Sequence, residues 1–497
     1  MSRMKCSALA CLLFIIVLTQ AMGCSRKISS KRETTIELKT CFLEGLSDEA
    51  QCGYVTRPIS SDPQDGTIDV HFAILPAAKA RHPDEAIMTF AGGPGQSGLD
   101  VGKVFVAALM EANRTRDIIL VDQRGTGRSH KLSCKVETLE QTLSDPTLDV
   151  IAKAIADTEE CKKTLSVDLS HFGTIQAAAD YDAIRQATGY SALHLYGSSY
   201  GTRIAQEYTR QFPEHVRTMV LDGVVPRQQS LVAIGLASQI ALEELVKECA
   251  EDTKCQNVFP EFGQELETLL EKLRKEPVST TIRHPVHGED VTFVVTEGKV
   301  DSVVRSALYT NIARSMIPLA IHKANQGDFA MIATMISTQF TSMSLATGMY
   351  FAVVCAEDWP RLTTASRERY KQSKSGALLI ETLDAVCPIW KVRPVPESFY
   401  QAPDHDIPTL LLSGEIDPAT PPSWAELGMK EMKNATHLVA KTANHGVAYQ
   451  TCAGRILAEF LDEPDGSKLQ TECLSTERRY RFLLNSNATS LPTPGTP

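Results

Sequence analysis

Residues 194–208 read HLYGSSYGTRIAQEY, and Gly197, Ser199 and Gly201 fit the pattern G-x-S-x-G. That spacing suits a nucleophile: the serine sits on a tight strand-to-helix turn, and the glycines let strand and helix approach closely. The centre of the pattern selects Ser199 and leaves Ser198 to pack or bond locally. A plain Gly/Ser turn is the bland alternative, and one such motif leaves it open. A serine hydroxyl is a weak nucleophile until a base takes its proton, and the base needs an orienting acid. In the chain order serine, acid, histidine, the C-terminal region supplies both. IPTLLLSGEIDPATPP (407–422) reads as an apolar strand and a loop with Asp417; THLVAKTANHGVAY (436–449) reads as a strand and a loop with His445. Glu415 is the rival acid, and Asp417 is preferred because it lies further past the strand. His194 alternates within a strand and is expected in the core. A tetrahedral intermediate also needs two backbone N–H donors aimed at its oxygen. One is expected at Tyr200. The other is expected at Gly93, with Gly92 as second candidate, in the strand-then-loop stretch AIMTFAGGPGQSG (86–98). A phosphate loop is excluded there: G-x-x-x-x-G-K-[ST] is missing and Pro94 removes an N–H.

The elements that must hold these groups are legible as patterns. SALHLY (191–196) is a short apolar run, as a buried parallel strand should be. Ile204, Tyr208 and Phe212 then recur every four residues, and Pro213 marks the helix end. Residues 54–226 read as strands alternating with helices, an α/β, mostly parallel doubly wound sheet. GTIDVHFAILPA (66–77) looks like an antiparallel starting strand. Residues 227–400 change to amphipathic helical stretches, a mainly helical cap inserted into the core. The core resumes over 401–475, and residues 476–497 form a tail whose end has disordered composition.

Composition bounds the function. The chain has 497 residues and a net charge of −10, without a basic stripe, which argues against nucleic acid as a partner. Residues 1–23 differ from the rest: Arg3 and Lys5 precede a short apolar run, as in a signal peptide, too short for a comfortable membrane span. Gly23 and Cys24 resemble a lipobox with Ala21 in place of the usual Leu, so plain secretion and a lipid on Cys24 both stand. That lipid would be the one route to a membrane. Residues 24–53 read as a tether and a disulfide-containing segment. Ten cysteines remain beyond Cys24, an even number that implies disulfides in an exported chain. Spacing suggests the neighbours Cys41–Cys52, Cys134–Cys161, Cys249–Cys255, Cys355–Cys387 and Cys452–Cys473. No CxxC pair or His at ligand spacing supports zinc.

GGPGQSG (92–98), DIILVDQRGTGRS (117–129), YGSSYG (196–201), LDGVVP (221–226), GEIDPATPP and NHG together resemble the α/β-hydrolase serine exopeptidases of the prolyl iminopeptidase and tripeptidyl aminopeptidase type. The likeness is closer to the tripeptidyl aminopeptidase branch, since Ala91 stands where prolyl iminopeptidases usually have His. The resemblance implies the α/β-hydrolase fold, Ser199, Asp417 and His445 as triad, and Gly93 and Tyr200 as oxyanion donors. It implies no metal or organic cofactor. Asp122 and Arg124 match a structural turn expected to brace the oxyanion loop. Peptide substrates with free N-termini are the implied partners. Buried cap carboxylates would bind the cationic amine, and Glu357 and Asp358 in FAVVCAEDWPR (351–361) are the candidates, weighed against a solvated acid pair at a helix end. Two rival functions stay open: an esterase or lipase with the same triad, and a non-catalytic binding protein on a hydrolase fold.

Overall fold

The computed structural model describes residues 35–134, 137–342, 345–402 and 404–487. The expected signal segment, Cys24 and the end of the tail lie outside the described residues.

The strands are β1 (Lys39–Cys41), β2 (Ala50–Pro58), β3 (Thr67–Leu75), β4 (Glu85–Phe90), β5 (Asp117–Val121), β6 (Ala192–Ser198), β7 (Val216–Asp222), β8 (Val278–Arg283), β9 (Asp290–Val295), β10 (Thr409–Gly414) and β11 (Ala435–Ala440). Nine form one sheet in the order β1-β2-β3-β5-β4-β6-β7-β10-β11. β1 to β3 run antiparallel, β3 meets β5 antiparallel, and β5 through β11 are parallel neighbours. The parallel strands are apolar on both faces because helices cover both: every residue of β10 is buried. From β4 the chain steps outward to β5 and then returns to β6 on the other side. That reversal opens a crevice at the carboxyl ends of β4 and β6, where ligands bind in such sheets.

One apolar cluster covers one face of the sheet and continues into cap residues such as Met349, Val353 and Ile380. A second lies on the other face, under the helices Gly102–Leu109 and Ala453–Asp462. The cap has a third cluster of its own, built from helices between Ile234 and Ser342.

Three features differ from the sequence expectations. The cap holds an antiparallel hairpin, β8–β9, whose β-branched VSTTIR and DVTFVV suit strands rather than helix. The N-terminal tether contributes the edge strand β1 and the start of β2, so these two, rather than residues 66–77, come first in the sheet. β2 is half-exposed, so its pattern gives little periodicity. Residues 477–484 are an ordered strap. Glu477 accepts from Cys452 N at 2.8 Å, and Arg479 donates to Glu415 at 3.0 Å and pairs with Glu248 of the cap helix Ile234–Glu251. Leu483 N donates to Ser315 O, and Phe482, Leu483 and Leu484 pack on the cap cluster.

All five suggested disulfides are formed. Replacing both Cys452 and Cys473 by serine should cost about 3 kcal/mol on the chain-entropy account of a loop this long. A lowered denaturant midpoint in oxidised protein, with no such drop once the wild type is reduced, is the check.

Candidate active site

β6 ends at Ser198 and the helix Tyr200–Gln211 opens at Tyr200, so Ser199 alone makes the turn. Its φ of 56° with ψ of −128° is a conformation that a residue with a Cβ rarely adopts. Such strain costs on the order of 1–3 kcal/mol and persists only where the surroundings impose it. Here Ser199 N donates to Asp222 O at 2.9 Å, and Ser199 O accepts from Thr202 N and Oγ1 at 2.9 and 2.6 Å. The motif glycines are required by close approach. A Cβ on Gly201 would lie 1.9 Å from Phe90 O, and one on Gly197 would lie 2.7 Å from Gly201 O.

Asp417 is buried in the loop after β10, and Ala419 N, Thr420 N and Thr420 Oγ1 donate to it at 2.8 to 2.9 Å. Its two oxygens lie 3.0 and 2.9 Å from His445 Nδ1. A carboxylate there holds the neutral ring's proton on Nδ1 and leaves Nε2 as the basic nitrogen. Burial pulls the His445 pKa down, but the charge and hydrogen bond of Asp417, with Asp222 behind, outweigh it and the net direction is up. The rival acid Glu415 is exposed and bonded to Arg479. A Cβ on Gly223 would lie 3.2 Å from His445 Cε1, and Ser199 N is bonded to the preceding residue, Asp222. The imidazole therefore stands over the end of β7, beside the turn that carries Ser199.

Asp222 was not singled out from the sequence, although it ends the apolar strand in LDGVVP. Its wholly buried carboxylate accepts from Val447 N at 2.6 Å, Ala448 N at 2.9 Å and Tyr196 Oη at 2.8 Å. Burial raises its pKa, against the lowering effect of those bonds and of His445. A polar residue closing a buried strand next to a glycine was the available signal.

The glycine loop after β4 lies against the nucleophile. Gly92 is the glycine in contact: a Cβ there would lie 3.0 Å from Ser199 Cβ. Gly93 follows at φ 107°, a backbone conformation open to glycine. Tyr200 is the first residue of its helix, so its N–H is among those with no intrahelical acceptor. Asp122 braces this loop through Ser97 Oγ at 2.5 Å and Leu99 N at 3.1 Å. Arg124 does not. It clamps Asp180 at 2.6 and 2.7 Å, tying the helix Thr174–Thr188 to the end of β2. From the cap, Ala346 N donates to Gly95 O at 2.9 Å.

Glu357 and Asp358 are not a solvated acid pair at a helix end. Both are wholly buried, and Arg203 of the nucleophile's helix takes them. Asp358 receives both Arg203 terminal nitrogens at 3.0 and 3.1 Å and Leu231 N at 2.8 Å. Glu357 receives Thr174 N at 2.8 Å, Thr174 Oγ1 at 2.9 Å and Arg203 Nη1 at 3.3 Å. Each of the four oxygens accepts a hydrogen bond, and the pair joins cap to core; the sequence could not show a guanidinium partner so distant in the chain. Burial pushes Glu357 up to about 7, against the lowering effect of Arg203 and Thr174.

Glu140, His284 and His287 bring ligand atoms within 4.8 Å of one another at the turn of the cap hairpin. His284 Nδ1 accepts from Val286 N and His287 N, which leaves the ring proton on the Nε2 that faces Glu140. The donor set suits a hydrogen-bonded turn better than a metal.

Comparison with known proteins agrees with this architecture. The family described as "alpha/beta hydrolase fold" matches residues 85–247, which hold the Ser199 turn and the glycine loop at the switch point of the sheet. The chain has the α/β-hydrolase fold. A second family, described as "TAP-like protein", matches residues 372–473 of this hydrolase, which include the Asp417 and His445 loops. The serine protease Hip1 of Mycobacterium tuberculosis is 24% identical over 84% of the chain and 87% of that protein. Tripeptidyl aminopeptidase of Streptomyces lividans is 24% identical over 86% of the chain and 84% of that protein. Carboxylesterase B of M. tuberculosis is 25% identical over 41% of the chain and 43% of that protein.

Two measurements follow from the titrations. The acid limb of kcat/KM should lie above the ordinary His value of about 6.5, because a protonated His445 cannot take the serine proton. Asp417→Asn should move that limb to lower pH and reduce kcat by about 10⁴. For stability, a Glu357 carboxyl held near 7 keeps a proton that the unfolded chain has lost above its usual value. Stability then falls as pH rises from about 4.5 to 7. Thermal unfolding of Glu357→Gln across that window should lose this slope.

Proposed function

We propose that this hydrolase is an exported serine peptidase that releases short peptides or single residues from free N-termini through an acyl-enzyme. The observation that carries the chemistry is the Asp417–His445 hydrogen bond beside a serine strained at φ 56°. Ser199 Oγ attacks the carbonyl carbon of the peptide bond as His445 Nε2 takes its proton. The Tyr200 and Gly93 N–H groups receive the charge that develops on the carbonyl oxygen. His445 then gives the proton to the leaving amine, and Asp417 stabilises the imidazolium between these steps. Water, deprotonated by the same nitrogen, releases the acyl product. All of this uses the chain's own side chains and amides.

The peptidase reading is supported by two relatives named as peptidases that align over most of their own length. Export is supported by the N-terminal charge and apolar pattern and by five disulfides. Among the described residues no helix is long and apolar enough to cross a membrane. A second reading, an esterase, would use the same triad and is supported by the likeness to carboxylesterase B.

Chromogenic peptides of one to three residues, with free and acetylated N-termini, separate the two. The expected result is turnover of free amines only, abolished in Ser199→Ala. Cleavage of simple esters with no peptide turned over would sink the peptidase reading and leave the serine hydrolase intact.

A further inference from the structure

The His445 loop is held from two sides, and only one of them is the sheet. From the core, Asp222 accepts Val447 N and Ala448 N, and Gln450 Nε2 donates to the carbonyls of His445 and Gly446 at 2.7 and 2.9 Å. From the cap, the turn after the helix Glu297–Ala307 reaches across. Asn444 Nδ2 donates to Leu308 O at 2.7 Å, and Asn311 Nδ2 donates to Thr442 O at 2.9 Å. The two amide bonds run in opposite directions, one from each partner, and meet the residue before His445 and the one three before it. Between them the Tyr309 ring stands edge-on to the imidazole, with centroids 5.1 Å apart and planes at 76°.

These contacts are placed where a small displacement matters. Asn444 is wholly buried, and it makes its bond to a cap carbonyl rather than to its own loop. Its Oδ1 has no hydrogen-bond partner among the described residues, so the cap bond is what satisfies this amide. Removing Leu308 O from reach would leave a buried amide unpaired on both ends, which is unfavourable. The loop would relieve that cost by turning Asn444 outward, and His445 is the next residue.

We propose that the cap turn Leu308–Asn311 positions His445, acting through Asn444 and Asn311, so that the base is aligned with Ser199 only while the cap is seated on the core. This rests on Ser199 and His445 being nucleophile and base. The cap then does more than shape a substrate pocket: it completes the mount of the base. Asn444, Asn311 and Tyr309 are positioning residues that act on the reaction through the imidazole.

The test uses a substrate too small to touch the cap. Wild type, Ser199→Ala, Asn311→Ala and Asn444→Ala are compared on p-nitrophenyl acetate and by the rate of labelling with a small fluorophosphonate. Asn311→Ala and Asn444→Ala should lower kcat on the acetate on the order of 10- to 100-fold, the cost of misplacing a catalytic group by about 1 Å. KM should not change, and labelling should slow in parallel. Thermal unfolding identifies a variant that fails to fold; if Asn444→Ala does, the half-buried Asn311 decides through its own variant. Unchanged acetate turnover and labelling in folded variants would overturn the proposal, and so would a loss confined to peptides, which would make the turn a substrate contact. Activity or labelling that survives in Ser199→Ala would instead overturn the assignment of the nucleophile.

Discussion

One buried carboxylate carries the geometry of this enzyme. Asp222 closes β7, its carbonyl holds the amide of Ser199, and its side chain gathers the two N–H groups that follow His445. Ser199 and His445, the proposed nucleophile and base, come from distant parts of the chain, and a single residue fixes both to the same strand end. An ionised carboxylate is expensive to bury alone. Three donors aimed at it make burial tolerable and define where each donor's loop must run. The strain at Ser199 is tolerated in that setting because the turn cannot relax without giving up the Asp222 bond.

The cap is fastened by polar contacts of the same kind. Arg203, buried in the nucleophile's helix, faces both carboxylates at the end of the cap helix Thr347–Glu357. Buried ion pairs are weak sources of stability, since desolvation offsets most of the attraction. Here they join the end of the cap helix to Arg203 and Thr174 of the core. On the opposite side the strap through Arg479 reaches both Glu248 and the acid loop at Glu415. Two separate polar fastenings leave the cap little freedom to rotate while both persist.

What could be read from the sequence follows from how local each signal is. The inner strands β4, β5, β6 and β10 announce themselves as short apolar runs because both faces are covered. The motif around Ser199 is local and legible, as are disulfides between near neighbours in sequence. β1 escaped because a three-residue edge strand has no strong pattern, and β2 because most of its residues are only partly buried. The β8–β9 hairpin was overlooked inside a stretch dominated by helical spacing, although its β-branched residues were there to see. Glu357 and Asp358 looked like a free acidic pair because Arg203 lies about 150 positions earlier. The orientation of Arg124 away from the glycine loop likewise depends on Asp180, a partner that only the fold brings near.

The position of the cap between β7 and β10 has a consequence for the chain as it is made. The strained serine turn can form once the first half of the sheet exists, well before the histidine has been synthesised. A nascent chain that has reached the cap carries the proposed nucleophile but not yet the proposed base. Competence arrives only when β11 is laid beside β10 and the loop beyond it docks on Asp222. With the triad proposed above, an unfinished chain lacks its base by its order of construction, and so does any fragment cut short of His445.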